Sequence, residues 1–175
     1  MELGRGTIIR LTKLTETSLI VHWMTERSGL IKTVAKGARR ARSPLAGRLD
    51  LFVRADFQWS RSRKSELHTL GEVTVTNYRR GLRERYRDTV VAGYFGQLLE
   101  LVLEMDHEEA GLDNLLDRAL GYLEEKGADR WAFDFFELEV ARLLGFGRAG
   151  PIGIREVYGK LPKSRDHCLD LLEKT

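Results

Sequence analysis

A single cysteine, Cys168, stands in the 175-residue chain. Neither an internal disulfide nor a multi-cysteine metal site can form, in keeping with a reducing compartment. No apolar run approaches the roughly 20 residues that span a bilayer, and the opening Met-Glu-Leu-Gly-Arg-Gly lacks the apolar stretch of a secretory leader. A cytosolic location is expected. Catalytic signatures are missing as well: there is no phosphate-cradling glycine loop, no serine elbow, no His-x-x-x-His pair and no paired carboxylates in a cleft motif. His22, His68, His107 and His167 are scattered and read as surface or packing residues, and His167 beside Cys168 offers too few ligands for a metal. Glu104, Asp106, Glu108 and Glu109 crowd near an expected helix end, as a solvated acidic turn. The chain therefore reads as a non-enzyme with no cofactor, no metal, no small-molecule substrate and no membrane.

What is present is charge, unevenly placed. The overall +3 conceals a first half, residues 1–87, with 19 Lys and Arg against 8 Asp and Glu, and a second half with 10 against 18. A polyanion is expected on the first half only, leaving the second for packing or for partner proteins. The cations concentrate in 32–48, where Lys32, Lys36, Arg39, Arg40, Arg42 and Arg48 occur with no acid between them. Burying several unpaired charges costs far more than a small domain can offset, so this run faces solvent or a polyanion. Gly37, Ser43, Pro44 and Gly47 interrupt any helix, which predicts a strand end leading into a mobile basic loop. On charge alone a solvated loop and a nucleic-acid contact are equal readings.

Around this run the sequence alternates with the period of strands. Segments 6–12, 17–25, 30–36, 51–60 and 67–76 place residues such as Leu19, Val21 and Trp23, or Val53, Ala55, Phe57 and Trp59, on one face each. Five strands in about 75 residues suit a small closed barrel better than a sandwich, and the oligonucleotide-binding barrel leads. Such barrels combine a cationic groove with aromatic platforms. Phe57 and Trp59 read as core, leaving Trp23 and Phe52 open for stacking. Near residue 80 the period changes to about 3.6, so the fold class is α+β: a barrel over 1–80 and a helical domain over 81–175. Helices are expected at about 82–105, 112–126, 129–144 and 164–172, with Asp129 capping the third and its Trp131 and Phe135 facing inward. The glycine-rich stretch 145–162 reads as turns.

At this point the residues resemble a family. Gly6-Thr-Ile-Ile-Arg, Glu16-Thr-Ser-Leu-Ile-Val and Thr25-Glu-Arg-Ser-Gly-Leu-Ile-Lys-Thr-Val-Ala-Lys-Gly-Ala-Arg-Arg-Ala-Arg-Ser look like the opening of the bacterial recombination mediator RecO family, and Arg130-Trp-Ala-Phe-Asp-Phe-Phe-Glu-Leu-Glu-Val-Ala-Arg-Leu-Leu-Gly-Phe resembles its helix ending in Leu-Leu-Gly-aromatic. The resemblance implies a protein of the cytoplasm and nucleoid that binds single- and double-stranded DNA, anneals complementary strands and helps load the RecA recombinase, with RecR and the single-strand-binding protein SSB as partners. It places the basic barrel surface on Arg10, Lys36, Arg39, Arg40 and Arg42; Lys32 and Arg48 join on charge, and Trp23 as a stacking residue. Many members carry a four-cysteine zinc motif after the Leu-Leu-Gly helix, whereas this chain has Phe146-Gly-Arg-Ala-Gly-Pro and only Cys168, so zinc is not expected. For the acidic, apolar-ended tail of SSB, the expected receptor is an apolar notch beside local cations, drawn from Arg118, Arg130, Arg142, Leu116, Leu120 and Trp131. Two other readings stand: an adaptor for SSB or RecR with weak DNA binding, and an RNA-binding barrel.

Overall fold

The computed structural model describes residues 1–174, and their backbone groups into two compact units, Met1–Tyr78 with Glu104–Glu109, and Arg79–Leu103 with the residues from Ala110 onward. Among the described residues five strands build the first unit: β1 Glu2–Lys13, β2 Leu19–Thr25, β3 Gly29–Ala35, β4 Arg54–Ser60 and β5 Leu67–Asn77. They close in the order β1-β2-β3-β5-β4, with β4 returning to β1. All pairs are antiparallel except β3 with β5. This is the closed oligonucleotide-binding barrel expected from the strand count.

Closure asks one strand to serve two neighbours. The first half of β1 pairs with β4 and the second with β2, across a bulge between Ile8 and Arg10 that bends the strand. Gly6 lies where both ladders meet, and a Cβ there would sit 2.4 Å from the Met24 carbonyl oxygen. The alternating residues fill the interior, with Ile8, Val21, Trp23, Ile31, Ala35, Val53, Ala55, Phe57, Trp59, Leu70 and Val73 buried together. Trp23 stacks on Phe57 at 4.0 Å, and its indole N–H donates to the Thr33 hydroxyl at 2.9 Å, so the one polar atom of this ring is satisfied inside the core.

Three expectations for this unit are corrected. The fourth strand starts at Arg54, not 51, because Phe52 takes a left-handed backbone (φ 67°) and is buried while its N–H donates to Ile8. The basic segment after β3 is a folded run of turns and not an open loop. Successive turn bonds (Arg40 N–H to Gly37 C=O, Ser43 to Arg40, Ala46 to Ser43, Arg48 to Leu45) fold it, and Ala38 and Leu45 sink into the barrel core, so apolar pins hold a charged surface in place. The acidic residues 104–109 are a solvated turn only in part: Glu104 and Glu108 are exposed, but Met105 bridges Leu30, the Asp106 N–H donates to the Leu30 carbonyl at 2.8 Å, and Asp106 takes both His68 Nε2 (2.8 Å) and Arg61 (3.1 Å). His68 Nδ1 accepts the Ser62 N–H, which leaves Nε2 to face the carboxylate and makes His68 a packing residue.

The second unit is helical: α1 Tyr86–Val102, α2 Leu112–Lys126, α3 Arg130–Leu143, α4 Gly150–Tyr158 and α5 Ser164–Glu173. α1 buries Val91, Ala92, Tyr94, Phe95, Leu98 and Leu99, as its nearly unbroken apolar pattern requires. It is shorter than expected, because 80–83 form a 3₁₀ turn and Leu103, after the last helical residue, is already extended. Asp129 caps α3 by accepting the Ala132 N–H at 2.7 Å. α4 stands where turns were expected. Pro151 occupies its first turn, where no N–H is needed, and Ile154 anchors it.

Candidate nucleic-acid interface

The barrel sorts its predicted site residues by parity. On β1, β2 and β3 the interior positions are Leu11, Val21 and Thr33 in one register and Ile8, Trp23 and Ile31 in another. Between them, Arg10 pairs with His22, and His22 with Lys32. These three side chains therefore project from the outer surface as one row crossing three strands, about 10 Å from first to last at the usual strand spacing. Two predicted cations thus meet a histidine that was expected only as a surface or packing residue. The signal that could have found His22 is its parity with Lys32 across a two-strand register.

Lys36 is exposed at the end of β3, and Arg39, Arg40 and Arg42 are exposed on the turns that follow. Their position is set by the neighbouring β1–β2 turn. The Arg39 N–H donates to the Thr17 carbonyl at 2.9 Å, its guanidinium to the Glu16 carbonyl at 3.1 Å, and the Gly37 N–H to the Ser18 hydroxyl. A carbonyl oxygen does not neutralise the cation, so Arg39 keeps its charge at the surface. Arg48 acts mainly as a structural tie, since its guanidinium donates to the Val73 carbonyl at 2.8 Å and fastens the segment to β5.

Trp23 is withdrawn from the interface. Its exposure is 0%, and Phe52, Phe57 and Trp59 are buried with it, so none of them can stack a base. Replacing Trp23 with Phe is expected to lower barrel stability by about 1–2 kcal/mol, for the lost bond to Thr33 and the small cavity. Affinity for a DNA single strand should not change. Calorimetry and a binding titration check this, and a selective loss of affinity at unchanged melting temperature would restore the base-contact role.

In the helical unit the predicted cluster divides. Leu116 and Leu120 are core residues at 1% and 0% exposure and offer no notch. Arg130 is engaged by Asp134 at 2.9 Å and Glu173 at 3.6 Å, and Arg142 by Glu139 at 2.9 Å. That bond, with Arg118 contributing more weakly, holds the Glu139 carboxyl below its usual range. Arg118 and Trp131 do meet. They line a groove of about 420 Å³ between α2 and α3 with Leu115, Tyr122, Ala132 and Phe135. Trp131 is 61% exposed and Phe135 36%, the two rings stacking at 5.2 Å, contrary to the inward placement expected. Helical phase explains the difference: Trp131, Phe135 and Leu138 share one stripe, whereas the core stripe runs through Phe133, Phe136 and Val140.

Among the described residues no three of His, Cys, Asp and Glu lie close enough to hold a metal ion. Cys168 is buried, and that burial pushes its thiol up to about 11, so it carries no thiolate at neutral pH. Among the described residues no helix is long and apolar enough to cross a membrane.

A five-stranded barrel of this closure, with a cationic row and an ordered basic segment on its outer face, defines an oligonucleotide-binding-fold domain joined to a helical unit. Residues 1–79 match the family model described as "Recombination protein O N terminal". DNA repair protein RecO of Rhodopirellula baltica is 30% identical over 143 residues, 81% of this chain and 53% of that protein. RecO of Rubrobacter xylanophilus is 34% identical over 146 residues, 82% of this chain and 57% of that one. The barrel domain, residues 1–79, belongs to the RecO N-terminal family, and similarity to RecO proteins extends over about four fifths of the chain. The chain spans about half the length of these relatives.

Proposed function

We propose that the protein is a non-enzymatic DNA-binding and strand-annealing mediator of bacterial recombinational repair, acting on SSB-coated single strands to help load RecA. The observation that carries this reading is the ordered cationic surface of the barrel, in which Arg10 and Lys32 flank His22 in one row and Arg39, Arg40 and Arg42 stand on a pinned segment against the β1–β2 turn. Fixed cations release condensed counterions from phosphates and reduce the repulsion that keeps complementary strands apart. Membership of a family whose relatives are named DNA repair proteins supports the same reading. The test is affinity for single-stranded DNA, RNA and duplex DNA at several salt concentrations, with and without SSB, beside an annealing assay. A salt-insensitive or absent interaction removes the reading, and preference for RNA moves the barrel to the RNA-binding alternative.

A second reading, an adaptor that docks an SSB tail, has its own support in the α2–α3 groove, where an apolar wall of Tyr122, Trp131 and Phe135 adjoins Arg118. An acidic tail ending in an apolar residue would seat that residue against the rings and its carboxylate on Arg118. Arg118→Ala is expected to weaken a labelled tail peptide about tenfold, because hydrogen bonds to charged groups are worth about 1.5–3 kcal/mol. Arg130→Ala and Arg142→Ala should bind nearly as wild type, since both cations are engaged by acids. Trp131, the exposed tryptophan, reports the titration by its fluorescence. Equal binding by all three variants would remove the groove from this role.

A further inference from the structure

Nucleic-acid barrels usually grip a single strand by two means, phosphates on cations and bases on aromatic faces. This barrel has the first and has buried most of the second. Among the described residues of the barrel unit, Trp23, Phe52, Phe57 and Trp59 are all buried, and Tyr78, at the last residue of the unit's main stretch, is the exposed aromatic. The outer row carries Arg10, His22 and Lys32, and the next row along the same strands carries Thr12, Ile20 and Val34. Among these side chains His22 alone carries an aromatic ring, a small imidazole set between two cations. Beyond β3 the row meets Leu67 of β5, directly after the turn 61–66.

That turn is ordered by Ser62, whose hydroxyl accepts the Lys64 and Ser65 N–H groups at 3.2 and 3.3 Å. It presents Arg63 and Lys64 to solvent, with Glu66 the acid beside them. Arg61 is different. It lies over the Trp59 ring and is engaged by Glu2 and Asp106, so its charge is already answered within the barrel.

We propose that this barrel holds a single strand by its phosphates alone, along a track that crosses β1, β2 and β3 and continues onto Arg63 and Lys64, with the bases facing away from the protein. The proposal rests on the DNA-binding reading above and adds the mode of contact. Its consequence for annealing is direct: bases that are not stacked on side chains keep their pairing edges free, so a complementary strand can pair without first displacing the protein. A strand held by stacked bases would have to release each base before it could pair.

The test compares, on the full chain, a thymidine oligonucleotide with an abasic oligonucleotide of the same length and charge, each titrated at several salt concentrations. Backbone-only contact predicts dissociation constants within about threefold of each other and the same salt slope. A stacked base contributes about 1–3 kcal/mol, at least about fivefold in affinity per base. Loss of tenfold or more on the abasic strand therefore overturns the proposal, provided it persists in the combined variant Tyr86→Ala, Trp131→Ala and Phe135→Ala, which removes the exposed rings of the helical unit. A loss that vanishes in that variant assigns the stacking to the helical unit and leaves the barrel proposal standing. Arg63→Ala with Lys64→Ala should lower the slope by about 1.4 on both strands, and Arg61→Ala should leave it unchanged. An unchanged slope in the double variant ends the track at Lys32 and overturns its extension. If the ordinary strand itself shows no salt-dependent binding, it is the underlying DNA-binding reading that has failed.

Discussion

Replacing Arg165 with Ala is expected to destabilise the helical unit by about 3–5 kcal/mol, the usual cost of stranding one partner of a buried ion pair. Glu137 on α3 is 1% exposed. Its two carboxylate oxygens accept from Arg165 Nε at 2.7 Å and Nη2 at 2.9 Å, and the Tyr94 hydroxyl on α1 donates to the same group. Three helices thus converge on one carboxylate. Without the guanidinium, the phenol is a single neutral donor left to answer a full charge out of water. Burial and the adjacent Glu137 push the Tyr94 phenol well above its usual range, so it stays a proton donor and cannot add a second negative charge. The bond to Glu137 raises Arg165 further above an already high value. A cation whose folded-state value is raised loses its stabilising effect only as pH climbs through that value, so the pair does not weaken between neutral and moderately alkaline pH.

For a unit of this size the loss corresponds to a melting-temperature drop of at least about 12 °C. The double replacement Glu137→Leu with Arg165→Met should recover much of it, because removing both charges also removes the desolvation penalty. A fall of less than about 1 kcal/mol in Arg165→Ala, measured by denaturant unfolding, would mean that water reaches Glu137 and that the pair adds little to stability.

The largest functional effect is expected from Arg39→Ala, Arg40→Ala and Arg42→Ala together. Each phosphate contact contributes about 0.7 to the logarithmic salt slope on a single strand, so losing three lowers the slope by about 2 and the affinity near 0.1 M salt by about two orders of magnitude. The barrel should remain folded. The segment is held by the buried side chains of Ala38 and Leu45 and by backbone bonds, which the substitutions leave in place. Removing the Arg39 guanidinium loses only a bond to the Glu16 carbonyl at the surface. Unchanged affinity and slope in a normally melting protein would return the segment to the role of a solvated surface.

The class of the fold is legible in the order of residues. Period-two alternation from the first strand to the fifth specifies a sheet with one buried face, and the switch to a 3.6-residue period near residue 80 specifies helices, because each period fixes which side chains can share a surface. The placement of the cations at 36–42 outside the core is legible too, since no domain of this size could bury them. Which apolar or aromatic side chains remain outside is not. Trp23 and Trp131 are chemically the same, yet one is sealed between Phe57 and Thr33 while the other lies exposed in a groove. Parity and helical phase place a residue on a face, but whether another element covers that face depends on contacts far apart in the chain. The return of 104–109 to the barrel is of this kind: Asp106 meets His68 and Arg61 across 38 and 45 residues, and only their proximity in the folded chain turns scattered acids and bases into a clasp. The row of Arg10, His22 and Lys32 is likewise a product of strand register, which the closure of the barrel and the bulge in β1 fixed together.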